Sequence, residues 1–477
     1  MSDAPTKDAS PKDAASKDAT KVNPLARMLA NVGALLSGRG LNAIVGLAYI
    51  AVTTRSLGIE VFGFLTLINA FAQALGEMAK FQSWQTVVQY GAKPLMDGDR
   101  KTFQQVMRFA LVLDGIGAVA GVAIGVAGSL LFSHYMGWPD ELAPEAALYC
   151  LSIGVMTSAT GVGLLRLFDR FRMLAAEQVV SSIVRLIGCA IAAATEAPIE
   201  MFLLAWAAGT VASFLYVAII AVWSLLQRGL LDGFSLFGPL GVGLPGVWRF
   251  AWATNFSSTI EVGFTHVLTL AIGALVGPAP AAMWRVGRQV ADGMAKPARL
   301  MLPALHPEFA RLRAQKDDAA MLRLARQIAL IGGGVAGVLL LVCLLAGPWL
   351  LTVIMGAEYA SAAGIMSWQV AAAAISIMAL PIEPMLVSMH AAGAALRVRI
   401  VVIAIYFAAL VPLLQIFDLT GAGAALVLAS TCMAIGMFIT LRSRLAAEAA
   451  AEREDKSAVM LEQTCAEPLN ERKGDPQ

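Results

Sequence analysis

The chain has 477 residues, of which 58% are hydrophobic and 14% are charged, and its mean hydropathy is +0.71. Soluble domains carry about 25% charged residues, so this composition excludes a soluble protein and predicts an all-α polytopic membrane protein. The formal net charge of +2 gives no reason to expect nucleic acid as a partner. The five cysteines are scattered without disulfide or metal-ligand spacing, and we expect no cofactor.

Apolar runs of membrane-spanning length follow one another along most of the chain. Since a helix needs about 20 residues to cross the hydrocarbon layer, we predict about twelve transmembrane helices. They lie near residues 31–54, 61–92, 104–132, 144–166, 177–195, 199–226, 249–276, 282–304, 325–346, 361–387, 396–416 and 420–441.

The charged and flexible stretches divide the chain into five predicted segments. Residues 1–27 repeat Lys-Asp-Ala and are predicted to be a disordered cytoplasmic tail. The Gly- and Pro-rich stretch 228–248 is predicted to be a cytoplasmic linker. It separates an N-terminal lobe (28–227) from a C-terminal lobe (249–445), each of about six helices, and parallel repeats of this kind are a common transporter plan. Residues 446–477 form a second cytoplasmic tail.

Lysine and arginine are unevenly divided between the two sides of the predicted membrane. With the N-terminus in the cytoplasm, the loops on that side hold nearly all of the basic loop residues, and the opposite loops hold only Arg55. Because loops rich in Lys and Arg remain cytoplasmic, both termini are predicted to face the cytoplasm.

Polar residues interrupt the first two predicted spans. Arg39 lies well inside the first apolar run, and Asn42 follows it at helical spacing. The second span offers Glu77, Gln82 and Gln85. They form either part of a polar cavity wall or an amphipathic helix end in which Glu77 pairs with the nearby lysine, Lys80.

Three other spans carry polar groups that suit a transport pathway. Asp114, in the third span, is a candidate proton carrier or the partner of an arginine, and glycines four residues apart beyond it predict close helix packing. In the seventh span Ser258, Glu261 and Thr265 share one helical face. Glu383 lies between two prolines that break a helix, and it marks either a cytoplasmic gate or a simple helix end.

The stretch WRVGRQVADGMAKPARL, in the eighth span, places five charged residues on one helical face. Arg285, Arg288, Asp292, Lys296 and Arg299 fall within a band about 80° wide on a helix that turns 100° per residue. Lys296 and Arg299 could simply extend to the cytoplasmic edge, but the other three lie deeper. Even with an Arg288–Asp292 pair, positive charge remains, so we predict that this face lines an aqueous cavity for an anionic group.

These residues divide into candidate roles. Arginines suit phosphate or carboxylate, while amides and hydroxyls suit sugar. The candidates for the anionic group are Arg39, Arg285, Arg288, Lys296 and Arg299. Those for sugar contact are Asn42, Gln82, Gln85, Ser258 and Thr265. Those for proton or sodium coupling are Glu77, Asp114, Glu261 and Asp292, and Glu383 is the candidate gate.

A membrane enzyme is the competing class, and the sequence disfavours it. The outward loops reach only about a dozen residues and leave no room for a catalytic domain. Asp97-Gly98-Asp99 superficially matches a metal-binding motif, but a short turn is the simpler interpretation. No nucleotide-binding glycine loop is present. A cation-coupled antiporter of smaller amphipathic or anionic compounds, and a scaffold for polysaccharide assembly, remain alternatives.

Four segments together resemble the polysaccharide-export branch of the multidrug/oligosaccharidyl-lipid/polysaccharide (MOP) flippase superfamily. They are SGRGLNAIVGLAYIAVTTRSLGIEVFGFLTL, FQSWQTVVQYGA, GPWLLTVIMGAEYASAAGIMSW and DLTGAGAALVLAS. The resemblance implies two lobes around a central V-shaped cavity, alternating access, and a bacterial inner-membrane location. It also implies transfer of polyprenyl-diphosphate-linked oligosaccharides, such as O-antigen units, to the periplasmic leaflet. Arg39 would then help to hold the diphosphate.

The same resemblance bears on partners. It implies a lipid-linked oligosaccharide as the transported molecule, with membrane lipid around the protein, and not a reaction catalysed by the chain itself. A polysaccharide polymerase and glycosyltransferases would act before or after it, and protons or sodium ions are candidate coupling ions.

Overall fold

The computed structural model describes the backbone of residues 24–299, 302–315, 317–389 and 391–466. The side chains that it describes are those of residues 42–256, 266–293, 295, 305, 308–315, 317–389, 391, 393–448 and 450. Within these residues the chain is almost entirely helical, as expected where a bilayer leaves no water to satisfy open backbone groups.

The described helices are numbered here in chain order. In the N-terminal part they are α1 (Pro24–Ala79), α2 (Ser83–Asp97), α3 (Arg100–Met136), α4 (Ala143–Cys150), α5 (Ile153–Met156), α6 (Thr160–Leu167), α7 (Phe171–Ala194) and α8 (Ile199–Gln227). In the C-terminal part they are α9 (Val247–Leu275), α10 (Pro278–Arg299), α11 (Leu302–Ala314), α12 (Asp318–Met355), α13 (Ala362–Ala379), α14 (Ile382–Ser388) and α15 (Ala392–Ala466). Short 3-10 turns, Asp140–Leu142 and Ala357–Ser361, precede α4 and α13.

The predicted membrane-spanning architecture is confirmed. Eight segments of the described residues are long and apolar enough to cross a membrane. Two of these segments bend sharply, at Gly58 and at Asp418, and therefore cross twice. Together with α9 and α10, they give about twelve crossings in two lobes, α1–α8 and α9–α15. At Gly58 φ is +72°, in the left-handed region that glycine adopts without strain, so the chain can reverse there.

The segment between α8 and α9, predicted to be a linker, is not an isolated loop. The chain between α8 and α9 lies along the N-terminal part of α3 and accepts hydrogen bonds from it. Arg108 donates from Nε to the carbonyl of Ser235 at 2.7 Å, and Gln104 donates to the carbonyl of Leu230 at 2.8 Å. The linker is therefore attached to the first lobe. The tail predicted at 446–477 begins as a continuation of α15, which extends to Ala466.

Two predicted helices are interrupted, and here the sequence prediction was wrong. The span expected at 61–92 breaks between α1 and α2, where Gln82 takes a left-handed conformation with φ +49°. The span expected at 144–166 is divided into α4, α5 and α6. The span 144–166 is almost wholly apolar, and the polar residues of 61–92 are compatible with a continuous amphipathic helix, so hydropathy alone did not reveal the breaks. Their cause is tertiary, because one carboxylate from α3 hydrogen-bonds at both interruptions, as described below.

Small residues bring α3 against these interrupted helices, as the glycine spacing predicts. A side chain at Gly117 would collide with the carbonyl of Ala79, at the end of α1. A Cβ at Gly121 would lie only 2.7 Å from Ile153. Helix backbones can approach this closely only where the side chains are absent, so these glycines pack and do not bind ligand.

The two lobes meet at one end of the molecule, called the distal end here, which carries the turns at Gly58, Gly277 and Gly356. Arg55 donates to the carbonyls of Val353 and Ile354, the latter at 3.1 Å from Nε. The amide of Ile59 donates to Glu358 at 3.0 Å, and Gly63 lies directly against the backbone of Pro278. These contacts close the distal end.

Aromatic packing beneath these contacts connects the lobes. Phe62 is fully buried, and its ring centroid lies 6.4 Å from that of Trp206 in the first lobe and 6.4 Å from that of Tyr359 in the second. Both pairs have the edge-on geometry that aromatic rings prefer. The core near the distal end is therefore shared by both lobes.

Candidate functional site

A polar cavity of about 450 Å³ lies between the lobes, below the aromatic contacts. Six helices line it, four from the first lobe, including α5 through Met156, and two from the second. The lining residues of α1 and α7 are Asn42, Gly46, Tyr49, Asn69, Gln73, Glu77, Glu177, Gln178, Ser181, Ser182 and Arg185. Those of α8, α9 and α10 are Thr210, Ser213, His266, Arg285 and Gln289. A wall this rich in amides, hydroxyls and charges inside a membrane protein suits a hydrated, polar ligand.

From the second lobe, α10 places Arg285 and Gln289, four residues apart, in the cavity wall. The Nε of Arg285 is buried and has no hydrogen-bond partner among the described side chains. One turn away, Arg288 Nε lies 3.2 Å from Asp292 Oδ1, although the alignment is too poor for a hydrogen bond. The predicted Arg288–Asp292 pair is thus present, and it leaves Arg285 as the unpaired cation of the described part of this face.

From the first lobe, α7 presents a second polar face with the same helical spacing. Glu177, Ser181 and Arg185 lie four residues apart, and all three line the cavity. Arg185 donates from Nη2 to the hydroxyl of Thr210 at 3.0 Å. Its guanidinium also lies 5.5 Å from the ring centroid of Trp206, within the range of a cation–π contact. Arg185 is therefore held in place by α8.

Hydrogen bonds between helices hold the rest of the first-lobe wall. Ser182 donates to Asn42 Oδ1 at 2.6 Å and so joins α7 to α1. Ser213 donates to Glu177 Oε1 at 2.8 Å and so joins α8 to α7. These bonds fix side-chain positions before any ligand arrives.

One glycine lies where the two walls approach each other. Gly46, on α1, faces Gln289 on α10, and a Cβ at position 46 would lie 3.0 Å from the Gln289 amide nitrogen. The absence of a side chain lets the first-lobe helix approach the arginine-bearing helix of the second lobe. Arg285 therefore stands close to the polar wall of the opposite lobe.

The charges around the cavity are nearly balanced. Lys80 Nζ lies 3.6 Å from Glu77 Oε1, so this pair is neutral, as one of the two interpretations of the sequence expected. Among the remaining described lining residues, Arg185 and Arg285 face Glu177. One positive charge is therefore in excess among these lining residues. Three of the five predicted candidates for the anionic group, Arg39, Lys296 and Arg299, lie in helices α1 and α10. Their side chains are outside the described residues.

The structure brings together only some of the predicted site residues. Asn42, Glu77 and Arg285 line the cavity, and Arg288 and Asp292 lie beside it on α10. The side chains of Ser258, Glu261 and Thr265, on α9, are outside the described residues.

Two predicted sugar contacts lie away from the cavity. Gln82, at the break between α1 and α2, accepts a hydrogen bond from the Trp84 indole at 2.8 Å. Gln85 lies in α2 and is absent from the described cavity wall. Their expected sugar contacts stay predictions.

Asp114 is buried outside the cavity wall and connects the interrupted helices. One carboxylate oxygen accepts from Ser83 at 2.5 Å, at the start of α2. The other accepts from the amides of Ala159 and Thr160 at 3.0 and 2.9 Å, and from the Thr160 hydroxyl at 2.7 Å. The carboxylate thus caps α6 at its N-terminus, where helix amides favour negative charge. Within the described residues its partners are hydroxyls and amides, and not an arginine.

Glu383 lies at the helix break that its flanking prolines predict. It begins α14, and its two carboxylate oxygens lie 2.9 and 3.0 Å from Arg399 Nη2 on α15. This ion pair connects two helices of the same lobe. A gating role for Glu383 stays a prediction.

Among the site residues absent from the sequence-based assignment, those of α7 form the largest group. Neither Arg185 nor Glu177 was assigned to the site. The signal was available, because Glu177, Ser181 and Arg185 repeat the four-residue spacing that identified the α10 face. The partners on α8, Thr210 and Ser213, carry no such signal, because their position depends on how two helices pack.

Sequence comparison places this architecture in a family. The sequence profile described as polysaccharide biosynthesis protein matches residues 28–313, which is more than half of the chain. The chain belongs to this family. The family and the fold are those of membrane transporters, in agreement with the cavity between two helical lobes. Inner membrane protein YghQ of Escherichia coli (strain K12) is 27% identical over 337 residues, which cover 70% of this chain and 94% of that protein.

Solved structures share the fold of this family member. A multidrug resistance MATE family transporter of the MOP superfamily in its inward-facing conformation matches with a TM-score of 0.70, at 16% identity over 87% of this chain and 98% of that one. An outward-facing structure of such a transporter matches with a TM-score of 0.56, at 16% identity over 87% of this chain and 96% of that one. The chain thus has the fold of MOP superfamily transporters.

Proposed function

We propose that this protein is a flippase for a polyprenyl-diphosphate-linked oligosaccharide, such as an O-antigen or exopolysaccharide repeat unit. It would transfer this molecule from the cytosolic to the periplasmic leaflet of a bacterial inner membrane. The observation that carries the proposal is Arg285, which lies in the polar cavity and, unlike Arg185, has no side-chain hydrogen bond or ion pair among the described residues. Membership of a polysaccharide biosynthesis family supports a saccharide substrate, and arginine suits its diphosphate.

The energetic argument rests on the same residue. An arginine at the centre of a membrane span costs about 2.5–3.5 kcal/mol on insertion scales, and such residues commonly mark substrate pathways. No carboxylate among the described residues pairs with Arg285 to offset this cost. Phosphate oxygens would supply the missing partner, because guanidinium can bind them through two parallel hydrogen bonds. Asn42, Gln178 and Ser182, across the cavity, offer polar groups to saccharide hydroxyls.

Alternating access accounts for the arrangement of the lobes. The uneven distribution of lysine and arginine supports cytoplasmic termini, so the closed distal end would face the periplasm. The cavity would then receive its substrate from the cytosolic side, assisted by Arg39, Arg288, Lys296 and Arg299. Opening of the distal contacts would complete the transfer. Glu77, Asp114, Glu261 and Asp292 are the proposed groups for coupling to protons or sodium ions.

The test combines binding with export. The wild-type protein and two variants are purified in nanodiscs and titrated with undecaprenyl diphosphate. In parallel, the gene for each variant replaces the wild-type gene in the source bacterium, and surface polysaccharide is measured. Arg285→Gln should weaken binding about 10- to 100-fold, since a hydrogen bond to a charged group contributes about 1.5–3 kcal/mol. Surface polysaccharide should fall accordingly, while membrane levels of the protein persist. Arg326→Gln, an exposed cation on α12 outside the cavity, is the matched control and should leave both unchanged. Equal binding by the two variants would reject the proposal.

Glu177 favours a second candidate, a cation-coupled antiporter of smaller amphipathic compounds. Its carboxylate lies in the cavity wall, and its recorded partner is the Ser213 hydroxyl and not a cation. Such a group could alternate between a proton and a ligand. Proteoliposomes distinguish the candidates: an antiporter would export small amphiphiles only while an ion gradient is present, and Glu177→Gln would uncouple it. Undecaprenyl diphosphate binding that depends on Arg285, with no uptake of small amphiphiles, would exclude this alternative.

A further inference from the structure

An apolar groove of about 390 Å³ leads out of the polar cavity within the first lobe. It is bounded by α3, by α5 and α6, and by α8, and it differs sharply in chemistry from the cavity that it joins. Met107, Leu111, Phe214 and Val222 are typical of its walls. A pocket of this size lined mainly by apolar side chains suits a hydrophobic ligand or part of one.

The groove and the cavity are continuous. Four residues line both spaces: Met156, Glu177, Thr210 and Ser213. From Thr210 to Leu225, the groove follows α8 for fifteen residues, which is about 22 Å of helix. Val222, on the same wall, is 48% exposed, so this part of the groove is open and not enclosed.

We infer that the groove holds the isoprenoid chain of the transported molecule while its diphosphate lies in the polar cavity near Arg285. This inference rests on the proposed function, since it assigns the second half of the same substrate. A molecule with an anionic head and an apolar chain has two parts of opposite chemistry, and the two adjoining spaces match them in the same order. A small hydrophilic anion would use only the cavity.

The junction supports this division. Glu177 accepts a hydrogen bond from Ser213 where the two spaces meet, and Lys80, in the groove wall, is neutralised by Glu77. No unpaired cation therefore stands in the described part of the groove to attract the diphosphate away from Arg285. The head group and the chain are each directed to one side of Glu177.

The experiment compares the binding of diphosphates with a short and a long isoprenoid chain, in the wild-type protein and in a variant whose groove is blocked. Binding of dimethylallyl diphosphate and farnesyl diphosphate is measured for the wild-type protein in nanodiscs, and for Ala218→Trp and Ala208→Trp. Ala218 lines the groove, whereas Ala208 is exposed on the same helix and lines neither space, so it is the matched control. Both variants add the same side chain, and partition of farnesyl chains into the lipid affects both equally.

The expected result is a loss of chain-length dependence in one variant. Each buried methylene contributes a factor of about four to affinity, so farnesyl diphosphate should bind at least about tenfold more tightly than the shorter compound to the wild type and to Ala208→Trp. In Ala218→Trp this advantage should fall below about threefold, with unchanged affinity for dimethylallyl diphosphate. Arg285→Gln should weaken both compounds alike.

Other outcomes separate the two claims. A full chain-length advantage in Ala218→Trp would overturn the groove assignment, while Arg285-dependent binding of the short diphosphate would leave the proposed function intact. If neither diphosphate binds the wild type, the proposed function fails and the groove assignment fails with it.

If Ala218→Trp does not fold, a farnesyl diphosphate with a photoreactive chain end decides the matter on the wild type. Labelled peptides from α3 and α8 would support the assignment, and labelling confined to the second lobe would overturn it.

Discussion

Arg185 and Arg285 approach the same cavity from opposite lobes, but their surroundings differ. Arg185 is bonded to Thr210 and lies against the rings of Trp206 and Tyr49. Arg285 has no such hydrogen bond or ring contact among the described residues, although the Nε of both arginines lacks a hydrogen-bond partner there. The same residue type therefore serves two purposes: the first lobe supplies a cation that is already positioned, and the second supplies one whose hydrogen-bonding capacity is available to a ligand.

The largest effect should follow from removing the aromatic support of Arg185. Trp206 is fully buried and packs edge-on against Tyr49 and Phe62, with ring centroids 5.6 and 6.4 Å away. Trp206→Ala should lower the free energy of unfolding by about 3–5 kcal/mol, the range for a large buried aromatic. The measurement is the unfolding midpoint of the purified protein in mild detergent.

Trp223→Ala is the control for this prediction. Trp223 lies on the same helix but is 47% exposed, so its loss should cost far less. Equal destabilisation by the two substitutions would mean that Trp206 contributes no special support, and the contrast between the two arginines would lose its structural basis.

The next effect compares the two arginines directly. Arg285→Gln should weaken diphosphate binding about 10- to 100-fold without lowering stability, because the side chain has ligand contacts to lose and few protein contacts. Arg185→Gln should reduce stability by about 1–2 kcal/mol, since a cation–π contact and a hydrogen bond are lost. Binding and unfolding are measured on the same preparations. The reverse pattern would exchange the roles assigned to the two residues.

The comparison also shows what sequence can and cannot predict. The membrane spans and the α10 face were predictable because they depend on apolar length and on spacing within one helix. Arg285 and the Arg288–Asp292 pair belong to this class. The support of Arg185 was not predictable, because Trp206 and Thr210 lie on another helix and their contacts depend on packing.

The helix breaks were hidden for the same reason. Asp114 stabilises two interruptions that lie about 30 and 45 residues from it in the chain, through Ser83 and through Ala159 and Thr160. Neither interrupted span contains a proline or glycine pair at its break, and the polar residues near the first break, Lys80, Gln82 and Ser83, are equally compatible with the polar face of a continuous helix. A buried carboxylate in a membrane helix predicts that a polar partner is present. The sequence does not show which helix supplies that partner.

A smaller effect concerns the closure that holds the two arginines across one cavity. Gly63 lies against the backbone of Pro278, which cannot move aside as a flexible side chain would. Gly63→Ala should therefore push the lobes apart at the distal end, at a cost of about 1–3 kcal/mol to the closed form. Water-soluble thiol reagents should then label a cysteine introduced at position 69 from the distal side more rapidly.

Gly46→Ala is the control for this substitution. Its Cβ would meet the flexible end of Gln289 at 3.0 Å, and this side chain can yield. Labelling from the distal side should stay at the wild-type rate. If Gly63→Ala behaves in the same way, the closed end is more compliant than its contacts imply.

The smallest expected effect tests which side chains of the first-lobe wall are held in position before a ligand binds: all of them, or only Arg185. Ser182 donates to Asn42 Oδ1 at 2.6 Å, and its neighbour Ser181 lines the cavity without a recorded side-chain bond. Ser182→Ala should weaken binding of a lipid-linked oligosaccharide by about two- to tenfold, because Asn42 would lose the bond that orients it, worth about 0.5–1.5 kcal/mol.

Ser181→Ala is the control for Ser182→Ala, because it removes the same atom one residue away, and it should change affinity less than twofold. Binding of a diphosphate that carries no sugar should be unaffected in both variants, since the bond serves the saccharide side of the cavity. If both variants bind the oligosaccharide as the wild type does, water replaces the Ser182 hydroxyl without loss, and the positioned part of the first lobe is confined to Arg185 and its aromatic support.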